Sequence, residues 1–428
     1  MRTRFLSAAA AALSTAAFAA DPPVYLPGGP AKPSADAPTL LPTAPPAPKE
    51  DCPCCLSGGS TGLRPGVDCL PEPRSVQSRP RFYGGLEYVL FWFDDRTPPP
   101  LVASAPANLP PNAGPLIFGT PINAPGVTTL YGGTPTDFGA FNGLRGTVGY
   151  WLDCQQNLGI EAAAFLTEQQ AQGFAGLNDG SKQNPNGLSR VTPSLIGPVV
   201  TSIVGGPGFP GGPGNPGVAT VTERSRLWGA EFNGVAKLAE CDTGRVDLLA
   251  GFRYLDLDES LGITGTTSFP FPVFPAVVST ADEFTARSQF YGAQLGVRGQ
   301  ADVGRLTMSA AGKLAFGVTH EAVGRGGITN FPVFGAAPPF ANRGGAYVTG
   351  DLIGRATTNK FAALPEALFQ VGYRVTERLD VSVGYNVLYL TNAVRAADQV
   401  NDGFAAKRGI DSTDFVAQGV SFGLGYRY

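Results

Sequence analysis

The sequence predicts an all-β fold, a transmembrane antiparallel up-and-down β-barrel of about ten strands with short turns at one end and long loops at the other. Three observations carry that expectation. Strand-like runs recur in which aromatic and aliphatic residues hold one parity and charges hold the other, the period of two that separates a lipid face from a lumen. The connections between these runs alternate short and long. The last eight residues, Ser421-Phe422-Gly423-Leu424-Gly425-Tyr426-Arg427-Tyr428, keep the alternation up to a final aromatic, as suits a strand that pairs with the first and leaves no edge.

The elements follow in order. Met1-Arg2-Thr3-Arg4 is a short basic region, residues 5–18 form an apolar run rich in Ala and Leu, and Ala17-Phe18-Ala19 is an A-x-A cleavage site. Residues 1–20 therefore read as a secretory signal peptide, too short to span a bilayer. Residues 21–79 are a linker rich in Pro and Ala that cannot bury a core, expected to be largely disordered in the periplasm. Cys52, Cys54, Cys55 and Cys69 lie there with no His beside them. In an exported chain disulfides outrank a metal, either within the cluster or as cross-links to other envelope proteins.

The barrel is expected over 80–428. Its first strand spans 82–93, with Phe82, Leu86, Tyr88, Leu90 and Trp92 opposite Glu87. The second, 142–152, sets Leu144, Val148, Tyr150 and Leu152 against Arg145 and Thr147; the third, 159–167, sets Ile160 and Leu166 against Glu161. The fourth, 227–238, opposes Trp228, Phe232 and Leu238 to Glu231, Asn233 and Lys237. The fifth carries Leu248, Phe252 and Tyr254 against Asp247 and Arg253, and the sixth Tyr291, Leu295 and Val297 against Gln294 and Arg298. The seventh has Leu306, Met308, Leu314 and Phe316 against Lys313; the eighth has Phe361, Phe369 and Tyr373 against Glu366, Gln370 and Arg374. The ninth has Leu379, Val381, Val383 and Tyr385 against Asp380, and the tenth is 416–428. Twelve strands are the alternative, with a further hairpin near 344–354 or 116–131. The short turns fall at 153–158, 239–245, 299–304 and 375–378, which predicts a periplasmic turn end and an extracellular loop end.

Gly (57) and Pro (39) are abundant while charged residues make up only 15%, which suits strands with one face in lipid. A net charge of −3 without a Lys/Arg cluster argues against a nucleic-acid partner. The expected partner is outer-membrane lipid. No phosphate loop, zinc signature or nucleophile elbow occurs in a suitable context, so no cofactor and no enzyme activity are expected.

Glu87, Arg145, Glu161, Glu231, Lys237, Asp247, Arg253, Arg298, Lys313, Glu366 and Arg374 form the candidate lumen lining, with Asp380 beside them. Both signs are mixed there, so a structural plug of paired charges outranks a selectivity lining in so narrow a barrel. Asp94-Asp95 and His320-Glu321 lie at outer strand ends, which leaves an outer-rim hydrolase as a minor alternative, and loop solvation as the preferred role. Cys154 and Cys241 fall in the first two short turns and are a candidate disulfide if their Cα atoms come within about 7 Å.

Several of these runs resemble the putative beta-barrel porin-7 family of exported outer-membrane proteins. They are Gly85-Leu86-Glu87-Tyr88-Val89-Leu90-Phe91-Trp92-Phe93 with Pro98-Pro99-Pro100-Leu101-Val102, Thr129-Leu130-Tyr131-Gly132-Gly133, and Gly143-Leu144-Arg145-Gly146-Thr147-Val148-Gly149-Tyr150-Trp151-Leu152 with Leu158-Gly159-Ile160-Glu161. Further on come Leu227-Trp228-Gly229-Ala230-Glu231-Phe232-Asn233 and Leu248-Leu249-Ala250-Gly251-Phe252-Arg253-Tyr254-Leu255. The resemblance covers about 80–428 and implies a barrel in the bacterial outer membrane, without a substrate. Gly423, Tyr426 and Tyr428 also have the spacing of the C-terminal signal that outer-membrane barrels present to their insertion machinery. The expected role is a structural or surface scaffold or a narrow pore, with an open diffusion porin as the alternative.

Overall fold

The computed structural model describes residues 80–106, 120–122, 125–181, 186–194, 197–206, 214–270, 276–331, 340–400 and 409–428. The expected signal peptide, linker and four N-terminal cysteines lie outside them. The described strands, in chain order, are β1 (Phe82–Phe93), β2 (Val102–Pro106), β3 (Thr120–Pro121), β4 (Thr128–Tyr131), β5 (Phe141–Trp151), β6 (Leu158–Thr167), β7 (Gln170–Asn178), β8 (Asn186–Ser194), β9 (Gly197–Gly205), β10 (Gly217–Cys241), β11 (Gly244–Phe269), β12 (Ala276–Val303), β13 (Leu306–Phe331), β14 (Phe340–Arg343), β15 (Gly354–Arg374), β16 (Leu379–Val394) and β17 (Ser412–Arg427).

Within a 12-stranded antiparallel sheet, β7 and β14 lie off the ring and the other ten strands close it, in the order β1-β5-β6-β10-β11-β12-β13-β15-β16-β17. The last strand pairs with the first from Tyr83↔Arg427 to Phe93↔Ala417. The segments suspected of a twelve-strand ring go elsewhere. Residues 344–353 hold a 3-10 turn at Gly350–Leu352 and no strand, the neighbouring Phe340–Arg343 adds to β13 outside the ring, and Thr120–Pro121 and Thr128–Tyr131 join a separate sheet.

The parity read from the sequence matches exposure in every ring strand. Leu86, Tyr88, Leu144, Val148, Leu166, Phe232, Phe252, Leu295, Phe316, Phe369, Val383, Phe422 and Leu424 face outward, whereas Glu87, Arg145, Glu161, Glu231 and Glu366 face inward. Burying a charge on the lipid side would cost far more than placing it in the lumen, so this pattern fixes the register.

Strand length departs from expectation. β10 to β13 run 25, 26, 28 and 26 residues, whereas about 9–11 cross a membrane. Residues 255–290, expected as an open loop, largely continue β11 and β12 beyond the bilayer. The reason is an inversion of pattern. From Leu255 upward the inward positions turn apolar (Leu255, Leu257, Leu261, Ile263) and the outward ones polar (Asp256, Asp258, Ser260, Thr264). A lipid-facing barrel thus becomes a water-facing shell over its own core, without a break in the strands.

That core is capped by a second sheet of five strands, ordered β3-β9-β8-β2-β4 and drawn from the first two long loops. Leu101, Val102, Leu188 and Val204 from this region pack against Ala219, Val221, Leu261, Ile263, Phe284 and Val323 of the shell. β6 and β7 together flank β10, through Leu166↔Trp228 and Gln170↔Ser225. On the far side, β15 pairs with β16 only from Glu366 down to Arg374. Above, Pro365 lacks an N–H. Thr391 and Asn392 side chains reach the backbone of Ala363 and Phe361 instead, at 2.8 and 2.9 Å.

Candidate functional site in the barrel lumen

The lumen is layered. At the turn end lies a vestibule of about 250 Å³, reaching from the rim residues Asp380 and Arg427 up to Asn386 and Phe165. Between Glu366 and the rim pair Asp380 and Arg427, the wall contributed by β15, β16 and β17 is small and neutral, with Gln370, Ser382, Gly384, Ser421 and Gly423, while most of the charges lie on the opposite wall.

Six of the candidate lining residues converge. Arg253 is buried between Glu231, which it contacts directly, and Glu366 at 2.6 Å. Lys313 lies 2.5 Å from Glu231 and 3.5 Å from Glu366. Arg145 stands 3.7 Å from Glu87 and 3.8 Å from Glu366. Gln294 donates to Glu231 at 3.2 Å and to the Asn233 amide oxygen at 2.9 Å. Three carboxylates face three cations, so the layer is neutral and leaves no field to select ions by sign.

A second group lies closer to the turn end. Arg298 holds Glu161 at 2.6 Å and Asp247 at 3.7 Å, and Arg245 binds Asp247 at 2.6 Å while stacking 4.2 Å from the Trp151 ring. The Tyr83 hydroxyl donates to Glu161 at 2.7 Å. This group too is balanced. Parity gave the inward acids and bases, but Tyr83 and Arg245 were missed, because one is aromatic and the other sits in an expected turn.

The remaining candidates lie apart. Lys237 ends the lumen row of β10 at the turn rim, in register with Asp247, and is bonded to the Gln155 carbonyl at 3.0 Å and to Glu240 at 2.9 Å. Arg374 pairs with Asp302 at 3.5 Å and Asp380 with Arg427 at 3.7 Å, all partly exposed. Cys154 and Cys241 are not joined in a disulfide; the Cys154 sulfur accepts a hydrogen bond from Arg81 at 2.9 Å. Of the terminal signal residues, Gly423 lines the vestibule and lies opposite Glu87 and Ser382, while Tyr426 and Tyr428 face outward at the turn end.

Above the charges the lumen is filled with apolar side chains. Val89, Phe91, Phe141, Phe165, Leu227, Leu255, Phe290, Leu364, Leu388 and Phe415 form one buried cluster, with Phe93 stacked on Phe141 at 3.9 Å between centroids. The sequence carried a signal for this septum, Phe91 and Phe93 on the same parity as Glu87, but the outward aromatics masked it.

The outer-rim residues do not come together. His320 sits on the outward face in register with Gln289 and Asn359, its Nδ1 2.7 Å from the Asn359 amide oxygen. Asp94 is bound to Arg395 and Arg96, each at 3.0 Å, and Glu321 is buried on the inward parity beside Lys360. Arg395 in turn holds Glu259 at 2.7 Å and ties the last long loop into the mouth of the barrel.

A family model described as "Putative beta barrel porin-7" matches residues 83–428. No curated protein matches the chain. Among solved structures, the outer-membrane OmpT of Vibrio cholerae is similar at 9% identity over 81% of this chain and 97% of its own, with a TM-score of 0.18. A FadL homologue of Pseudomonas aeruginosa shares 7% identity over 82% and 90%, with a TM-score of 0.21. The transport unit of the autotransporter AIDA-I from Escherichia coli shares 8% over 85% and 93%, with a TM-score of 0.23. Superpositions this loose assign a role to no residue.

Proposed function

Since the chain belongs to the putative beta-barrel porin-7 family, and so is an outer-membrane β-barrel, we propose that it serves as a sealed, non-catalytic scaffold that displays a β-domain at the cell surface. Residues 1–20 would export it, and residues 21–79 would extend from its turn end into the periplasm and offer thiols to envelope partners. The observation that carries this reading is the apolar septum across the lumen, stacked on a neutral layer of ion pairs. The ion-pair layer borders the vestibule, but the septum above it offers only apolar side chains, and a dewetted constriction stops ions even where its radius would pass them. Against catalysis stands the separation of His320 from Asp94.

An open diffusion porin is the second reading, and the vestibule of about 250 Å³ is what favours it. Recording from the folded protein in a planar bilayer tests both. A sealed barrel inserts without conductance steps, as judged by heat-modifiable mobility of the same sample. Stable ohmic steps from the unmodified protein would overturn the scaffold reading.

A further inference from the structure

We propose that the outward face of β10 to β15, just above the membrane, docks the phosphate of an outer-leaflet lipid. It rests on the placement of the loop end outside the cell, and does not depend on whether the lumen conducts.

The register defines three successive outward rows. The lowest, Ala230-Tyr254-Tyr291-Val318-Phe361, is apolar and aromatic, with Tyr254 packed 4.8 Å from Trp228 and 5.0 Å from Tyr291. Such a girdle marks the membrane interface. Next comes Trp228-Asp256-Gln289-His320-Asn359, then Arg226-Asp258-Arg287-Ala322-Thr357, with Arg224 and Arg355 in the row beyond. Two residues rise about 6.6 Å along a strand, and barrel strands tilt by about 40°. The Arg226 row therefore stands about 10 Å above the girdle, at the depth of lipid headgroups.

The guanidinium groups there are presented outward. Asp256 is fully buried and receives hydrogen bonds from the Tyr254 hydroxyl at 2.7 Å and from Gln289 at 3.2 Å. From the row above it takes the Nε edge of Arg287, at 3.0 and 2.6 Å. The other guanidinium nitrogen is left for solvent or ligand, and the Arg287 side chain is 46% exposed. Arg226, 47% exposed, stands 3.7 Å from Asp258, beyond hydrogen-bonding reach. Arg224 and Arg355 are exposed and have no carboxylate within ion-pair distance among the described residues. Four cations thus meet two carboxylates, one of them buried. Glu168 flanks the patch with one oxygen held by Asn142 and Gln170, at 3.1 and 2.6 Å to their nitrogens, so that with it counted four cations still outnumber three carboxylates. Glu283 lies a row higher. Guanidinium pairs over an aromatic ledge recognise phosphate oxygens and acyl chains at once.

The test uses the full chain, folded in detergent, with native mass spectrometry after exposure to equal amounts of phosphatidic acid and phosphatidylcholine. Wild type is expected to retain the phosphomonoester lipid preferentially. The double variant Arg224→Gln with Arg226→Gln should reduce that preference about tenfold. If the double variant fails to fold, Arg224→Gln and Arg355→Gln carry the test alone, since neither breaks an ion pair. Equal retention of the two lipids by wild type, or an unchanged preference in folded variants, would overturn the proposal.

Discussion

Asp282 illustrates how one buried carboxylate can organise a loop. It accepts three backbone N–H bonds, from Ala346 at 2.8 Å, Tyr347 at 3.0 Å and Val348 at 2.9 Å. Gly345 is required beside it, because a Cβ there would overlap the carboxylate. Burial pushes the Asp282 carboxyl above its ordinary value of 3.8, against the three N–H groups and Arg190. Burial likewise raises Glu223 above 4.5, aided by Glu259 and opposed by its hydrogen bond from Tyr131. Both groups bind protons more tightly folded than unfolded. Their contribution to stability is full below the ordinary carboxylate values and is lost as pH rises through the raised ones. The loop-end domain should accordingly melt at a lower temperature at pH 8 than at pH 4, followed by near-ultraviolet circular dichroism. Asp282→Asn should flatten that dependence while keeping part of the loop contact. None of this was legible in the sequence. An Asp between Ala281 and Glu283 gives no sign of the loop that folds onto it from some 65 positions away.

At the scale of elements, the ring strands were legible because a lipid face tolerates so little error. Each charge on the wrong parity would cost about 2–4 kcal/mol at the bilayer midplane. The extensions of β10 to β13 were not legible, because the inversion at Leu255 mimics the end of a strand. The small second sheet was hidden for another reason: β2, β8 and β9 come from two loops far apart in sequence and pair only in three dimensions. The inversion makes an asymmetric prediction. Leu257→Asp places a charge in the septum, where Leu257 is fully buried, and should cost about 3 kcal/mol or more. Asp258→Asn, the adjacent outward position, should stay within about 0.5 kcal/mol. Urea unfolding of the two variants in the same lipid distinguishes them, and equal losses would contradict the inverted register.

At the scale of the whole molecule, closure depends on the last strand. β17 pairs with β16 on one side and β1 on the other, so removing it exposes two edges to lipid with no water to satisfy them. A chain truncated after Phe422 loses the pairs from Gly423 to Arg427. It should fail to acquire heat-modifiable mobility, whereas truncation by Tyr428 alone should leave most of it. The ring of ten was legible because alternation, turn spacing and the terminal aromatic all agree. The layering inside it was legible only as a mixture of charges, since parity tells which residues face the lumen but not which of them meet.

The septum has a bearing on the cell as well as on the barrel. An open porin raises the leak of an envelope with every copy inserted, so its abundance is limited by what the cell can afford to let through. On the scaffold reading proposed above, a barrel stoppered by Phe91, Phe141, Phe165, Phe290 and Phe415 would escape that limit. It could be packed at high density in the outer membrane while the permeability barrier stays as it was, which is the condition a surface coat must meet.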